Sequence, residues 1–151
     1  MSRVISIARQ RTDSIRIVFA ICLLFMGGMI YLLFRTESLL MFQWVGYLHV
    51  ESFIYNLREN ASPISIPAFC KFCLPDGLWI SSYIIVVDTI WRGVSPKRRL
   101  IWCMSLPLIA IITELMQFCN IIVGTFDYYD LLSYIIPTLV FLIFYRYGKR
   151  D

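Results

Sequence analysis

Apolar side chains along this sequence come in long unbroken runs, and the polar ones collect between them. Four runs stand out, at 15–34, 78–91, 100–118 and 129–145. A helix rises about 1.5 Å per residue, so about 20 residues cross a hydrocarbon core about 30 Å thick. With their flanking residues these runs predict spans at about 15–34, 76–92, 99–119 and 128–146. A fifth apolar stretch, 39–50, has only 12 residues and is too short to cross. Rich in aromatics, it predicts a helix over 36–59 lying on the membrane surface, with Phe42, Trp44 and Tyr47 at headgroup level. Residues 60–68, with Pro63 and Pro67, read as a loop descending into the second span. The expected fold is an all-α membrane protein: a four-span transmembrane helical bundle with an additional interfacial helix on the outer face.

Composition agrees with that pattern. At 59% hydrophobic residues, the chain exceeds the apolar share of an ordinary soluble domain. Its 151 residues suffice for a single domain over 1–151, without a soluble appendage. The first run is too long for a signal-peptide core and lacks a small-residue cleavage site, so it is expected to stay as an anchor.

Charge sets the orientation. Of the 14 Lys and Arg residues, all but Arg35, Arg58 and Lys71 fall before the first run, between the second and third, or after the fourth. They are Arg3, Arg9, Arg11 and Arg16; Arg92, Lys97, Arg98 and Arg99; and Arg146, Lys149 and Arg150. Bases that flank apolar runs in this way mark the cytoplasmic side, not a nucleic-acid footprint. Both termini are then cytoplasmic in a bacterial plasma membrane, and segment 36–73 lies outside.

One feature cuts against a chain built to dissolve in lipid. Glu114 sits inside the third run, with Gln117 three residues on and Thr125, Asp127 and Asp130 just beyond. An acid at bilayer depth costs roughly 2.5–3.5 kcal/mol on insertion scales and is usually paired or functional. Near a helix C-terminus, where the dipole repels an anion, Glu114 calls for a partner, a proton or a cation. Asp76 opens the second span at the same end, and Trp79 and Tyr83, three and seven residues on, share its helical face as a candidate aromatic wall. The candidate ligand-binding set is therefore Asp76, Trp79, Tyr83, Glu114, Gln117, Thr125, Asp127 and Asp130. Asp76, Asp127 and Asp130 also suit helix N-termini, where carboxylates cap free N–H groups. Asp88, about 18 Å deeper than Asp76 on an ideal helix, is expected to pair with the basic loop. Pro107 and Pro137 are expected to kink the third and fourth spans.

The cysteines add little chemistry. Cys22, Cys103 and Cys119 read as small packing residues. Cys70 and Cys73, spaced C-K-F-C, would suit a disulfide or half a zinc site, but no second Cys pair exists and His49 is the only histidine. No metal and no cofactor is assigned.

The segment Glu114-Leu-Met-Gln117, followed by Gly124-Thr-Phe-Asp127-Tyr-Tyr-Asp130, resembles the VanZ-like family of small multi-spanning bacterial membrane proteins, which carry a Glu-x-x-Gln and an Asp-x-x-Asp pair. Leu74-Pro75-Asp76-Gly77-Leu78-Trp79 looks like a motif of a related branch. Tyr134 and Pro137 stand where family members often have Asn and Gly, and an arginine common before the first Asp is missing. The resemblance implies a cell-envelope protein connected with teicoplanin and other glycopeptide resistance. On this reading the chain binds a lipid-linked cell-wall precursor or a lipopeptide, with membrane lipids as neighbours and no nucleic acid. Two alternatives stay open: an enzyme acting on a membrane lipid or sugar-lipid, its acids holding Mg²⁺, Ca²⁺ or Mn²⁺ or moving protons, and a subunit of a larger membrane complex.

Overall fold

The computed structural model describes residues 2–37 and 40–147, with side chains over 10–37 and 40–146. Leu39, Lys149 and Arg150 lie outside the described residues, as do the side chains of Arg3 and Arg9. The fold is all-helical, and no strand occurs among the described residues. Among the described residues seven α-helices follow in order: α1 (Ser2–Phe34), α2 (Leu40–Tyr47), α3 (Glu51–Ala61), α4 (Ala68–Phe72), α5 (Leu74–Ile90), α6 (Pro96–Phe118) and α7 (Tyr128–Tyr147). Three of them are long and apolar enough to cross a membrane, over Gln10–Phe34, Pro96–Phe118 and Tyr128–Arg146.

Helix α1 starts well before its apolar run. Nothing in its first 25 residues breaks a helix, since Gly and Pro are absent from 2–26. The expected single surface helix over 36–59 is instead two helices. The chain turns at His49, whose φ of 53° is left-handed, and the last turn of α2 closes with His49 N–H to Gly46 O at 3.0 Å and Val50 N–H to Val45 O at 3.3 Å. That bond pair is a Schellman closure, which ends a helix with a residue in the left-handed region. Phe42 also departs from its expected place at the headgroups. It is buried with Val45 and Ile54 against Leu32, and the Arg58 guanidinium lies over its ring. Trp44 and Tyr47 are exposed.

Helix α5 is the middle of the bundle, packed on α1, α6 and α7. Two close approaches make this possible. A Cβ on Gly27 of α1 would fall 2.6 Å from Trp79 Nε1, so the indole of α5 occupies the notch a side chain would fill. A Cβ on Gly77 would fall 3.1 Å from the Ser133 carbonyl oxygen, which sets the α5–α7 crossing. Between these contacts Ser82 donates to Ala20 O at 2.8 Å, and Ile80, Ile84 and Cys103 are buried. The outward faces of α1, α6 and α7 are the reverse of a soluble protein's: Phe25, Ile109, Ile136 and Phe144 stand exposed. That apolar skin suits a lipid environment.

The two ends of the bundle differ in charge. At one end Asp88, only 3% exposed, is held by Arg16 of α1 and by Arg99 of α6, while Arg92 pairs with Asp13 at 2.7 Å. Asp88 thus pairs with Arg99 of the basic stretch that follows it, and also with Arg16 on α1. At the other end lie the acids.

Candidate functional site

Helix caps bring the acidic end together. Helix α6 stops with Asn120 at φ 56°, its N–H bonded to Gln117 O at 2.9 Å and the next N–H bonded to Met116 O at 2.9 Å. Asparagine tolerates this left-handed position better than most residues. The chain then returns through Gly124, whose φ of 151° few side chains adopt, and a Cβ there would meet Gln117 Cδ at 2.6 Å. Glycine lets the loop fold flat onto Gln117. Helix α7 opens on Asp127, which caps it by accepting the Tyr129 N–H at 2.8 Å.

Glu114 closes the arrangement. It is 6% exposed and turned into the bundle, and it accepts the backbone N–H of Asp127 at 3.4 Å. Helix α6 thereby supplies a carboxylate to an N–H that α7 cannot bond internally. Asp130, in the first turn of α7, accepts a hydrogen bond from the Cys73 thiol, while its Oδ1 is buried with no hydrogen-bond partner. Asp76 of α5 accepts from the Tyr134 hydroxyl. The Arg35 guanidinium, at the end of α1, is the cation that attracts Asp76 and Asp130. It is fixed by a bond to Phe72 O at 3.3 Å and by the faces of Tyr31 and Phe72.

Carboxyl groups from α5, α6, α7 and the residue that caps α7 are therefore gathered at one end, with the Arg35 guanidinium near two of them, Asp76 and Asp130. Like charges gathered in this way repel one another, so the cluster attracts an added cation. Cys73 feels this field from the connection before α5. Its thiol is 1% exposed, and burial, with the Asp130 carboxylate next to it, pushes it up to about 12. It stays a thiol in neutral water. Cys73 Sγ and one oxygen each of Asp127 and Asp130 lie within 4.8 Å of one another, an arrangement that can hold a metal ion.

Not every expected residue joins. Trp79 turns to α1, its ring tilted 40° to that of Tyr31 at a centroid distance of 5.5 Å and its Nε1–H donating to Leu24 O at 3.3 Å. Tyr83 turns to α6, bonded to Trp102 O at 2.9 Å and Ser105 Oγ at 2.6 Å. The expected aromatic wall beside Asp76 does not form, because each ring fills a helix–helix contact. Gln117 packs on Gly124 and, among the described residues, makes no hydrogen bond to the acids. Thr125 is exposed in the loop. Cys70 and Cys73 are unbridged.

Three contributors had gone unnoticed. Arg35 could have been found as one of the few bases at the base-poor end. Tyr134 falls one turn after Asp130, where the family resemblance places an asparagine. The C-K-F-C spacing sets Cys73 beside Cys70, whereas its partner Asp130 comes from α7. No protein-family model, curated protein or solved structure matches the chain, so function rests on this geometry and on the motif resemblance.

Proposed function

We propose that the chain is a four-span, VanZ-like protein of the bacterial plasma membrane. It binds the cationic part of a lipid-linked molecule or lipopeptide in the outer leaflet. The observation that carries this is the cluster of Asp76, Glu114, Asp127 and Asp130, in which the Arg35 guanidinium attracts only Asp76 and Asp130. A fourth crossing is supported by helical backbone from Leu74 to Gly93, α5 running into a 3₁₀ turn at Trp91–Gly93, which spans about 30 Å. With the bases at the opposite end taken as cytoplasmic, the acids face outward and both termini face inward. Segment 36–73, with exposed Trp44 and Tyr47, then lies at the outer interface. Such a protein fits a role in glycopeptide or envelope-stress tolerance.

The test is binding of a fluorescent lipopeptide carrying one lysine, with its N-acetyl-lysine analogue as control, to protein in nanodiscs. Glu114→Gln keeps the shape and removes the charge, so the variant is expected to insert and fold yet bind the lysine form about as weakly as the analogue. Equal binding by wild type and Glu114→Gln refutes the acidic site.

A second reading, a metal-dependent enzyme acting on a membrane lipid or sugar-lipid, is favoured by the Cys73, Asp127 and Asp130 donor set. Mn²⁺ binding followed by electron paramagnetic resonance separates the two. Stoichiometric binding lost in Asp130→Asn supports the enzyme, and its absence supports the ligand site. Membership of a larger complex through Glu114 is disfavoured, since this carboxylate faces the bundle interior.

A further inference from the structure

Across α5 from its contact with α6, a groove of about 1040 Å³ runs between α1 and α7. Its floor is the α5 face bearing Leu74, Leu78, Ser81 and Ile85, its walls are Phe19 and Leu23 on one side and Val140 and Phe144 on the other. From Leu74 to Asp88 that floor extends about 21 Å, longer than one leaflet's hydrocarbon depth of about 15 Å. The lining is apolar along its length, and its charged groups all sit at one end: Arg16, Arg92 and Arg99 with Asp88. Counting Asp13, which pairs with Arg92, three guanidiniums there face two carboxylates. Arg92 bonds Asp13 through Nη1, and Arg16 bonds Asp88 through Nη2. A guanidinium has five N–H donors, so both retain donors for an oxygen-rich anion.

A long apolar slot with a cationic mouth has the shape of one molecule class. We infer that this groove is a binding site for an anionic membrane phospholipid, its acyl chain along α5 and its phosphate against Arg92 and Arg16. Charge complementarity selects the headgroup, since basic pockets between membrane helices on the cytoplasmic side attract anionic lipid heads. The site lies at the end of the bundle opposite the acids and uses none of them, so it stands or falls independently of the outer ligand.

Native mass spectrometry of the purified, delipidated protein given equal phosphatidylglycerol and phosphatidylcholine tests the inference. Wild type is expected to retain one phosphatidylglycerol in preference to phosphatidylcholine, and added salt is expected to erase that preference. Arg92→Gln is expected to lower phosphatidylglycerol retention roughly fivefold, the effect of one guanidinium at a membrane surface, with phosphatidylcholine unchanged. Ser81→Phe, which fills the floor, is expected to lower retention of both. Equal retention of the two lipids by wild type overturns the inference, as does a folded Arg92→Gln or Ser81→Phe protein that binds like wild type. Where a variant does not fold, the wild-type preference and its salt dependence decide alone.

Discussion

Arg99 holds Asp88 with two nitrogens on one oxygen, Nε at 2.7 Å and Nη2 at 2.6 Å from Oδ1. Arg16 takes the other oxygen. One buried carboxylate therefore fastens α1, α5 and α6 at the basic end. Asp88→Asn leaves two guanidiniums facing a neutral amide. Removing one partner of a fully buried pair costs about 3–5 kcal/mol, and with both arginines about a quarter exposed the expected loss is about 2 kcal/mol. Thermal unfolding in detergent micelles measures it; an unchanged melting temperature removes Asp88 from the account of stability.

The α1–α5 notch makes a different prediction. Gly27→Ala puts a methyl where the Trp79 indole now lies, and overpacking of this kind costs about 1–3 kcal/mol. Because the two sites touch, Trp79→Leu added to Gly27→Ala is expected to restore part of the loss instead of adding its own. Simple additivity in the double mutant would mean that the two helices do not meet there.

Orientation can be read with thiols in a cysteine-free background. A cysteine at Pro96, beside the basic end, is expected to resist an impermeant maleimide applied to whole cells, and one at Ser65, in the loop between α3 and α4, to react. Labelling at position 96 from outside inverts the topology.

The raised Cys73 thiol gives a pH prediction. An ordinary thiol loses its proton near pH 9, whereas Cys73 holds its own up to about pH 12. The thiol form is stabilised below the ordinary value and that stabilisation ends as pH rises through the folded one. Alkylation of folded protein at pH 9–10 is thus expected to modify Cys70 long before Cys73. Asp130→Asn removes the neighbouring negative charge and is expected to speed modification of Cys73 without equalising the two, since burial is the larger cause. Equal rates at both cysteines in wild type contradict the burial of Cys73, and an unchanged Cys73 rate in Asp130→Asn contradicts its contact with Asp130.

Hydropathy made the long helices legible, because 100–118 and 129–145 need only length and apolar content to be recognised. It could not place the break at His49, since histidine is an uncommon helix terminator and the flanking residues stay apolar. The acids were legible as a group, Glu114 most of all, because a carboxylate within an apolar run has few places to go. The aromatic wall was misjudged for a geometric reason. Tyr83 shares the face of Asp76 but lies about 10 Å deeper, where α6 presents Ser105, and Trp79 is turned by a gap on α1 that the α5 sequence does not contain. Arg35 and Cys73 were missed because their roles depend on which helix ends meet, a property of tertiary packing.

The central position of α5 also bears on how the chain enters a membrane. Asp88 near its end is penalised in a lone helix facing lipid, and its two arginines are encoded on either side, Arg16 earlier and Arg99 later. During synthesis α5 emerges when only α1 is available to shield that carboxylate. The second arginine arrives with α6, so on the four-span reading proposed above insertion of the hairpin 74–118 is expected to be a single concerted event, and a chain truncated before Arg99 to leave α5 poorly integrated.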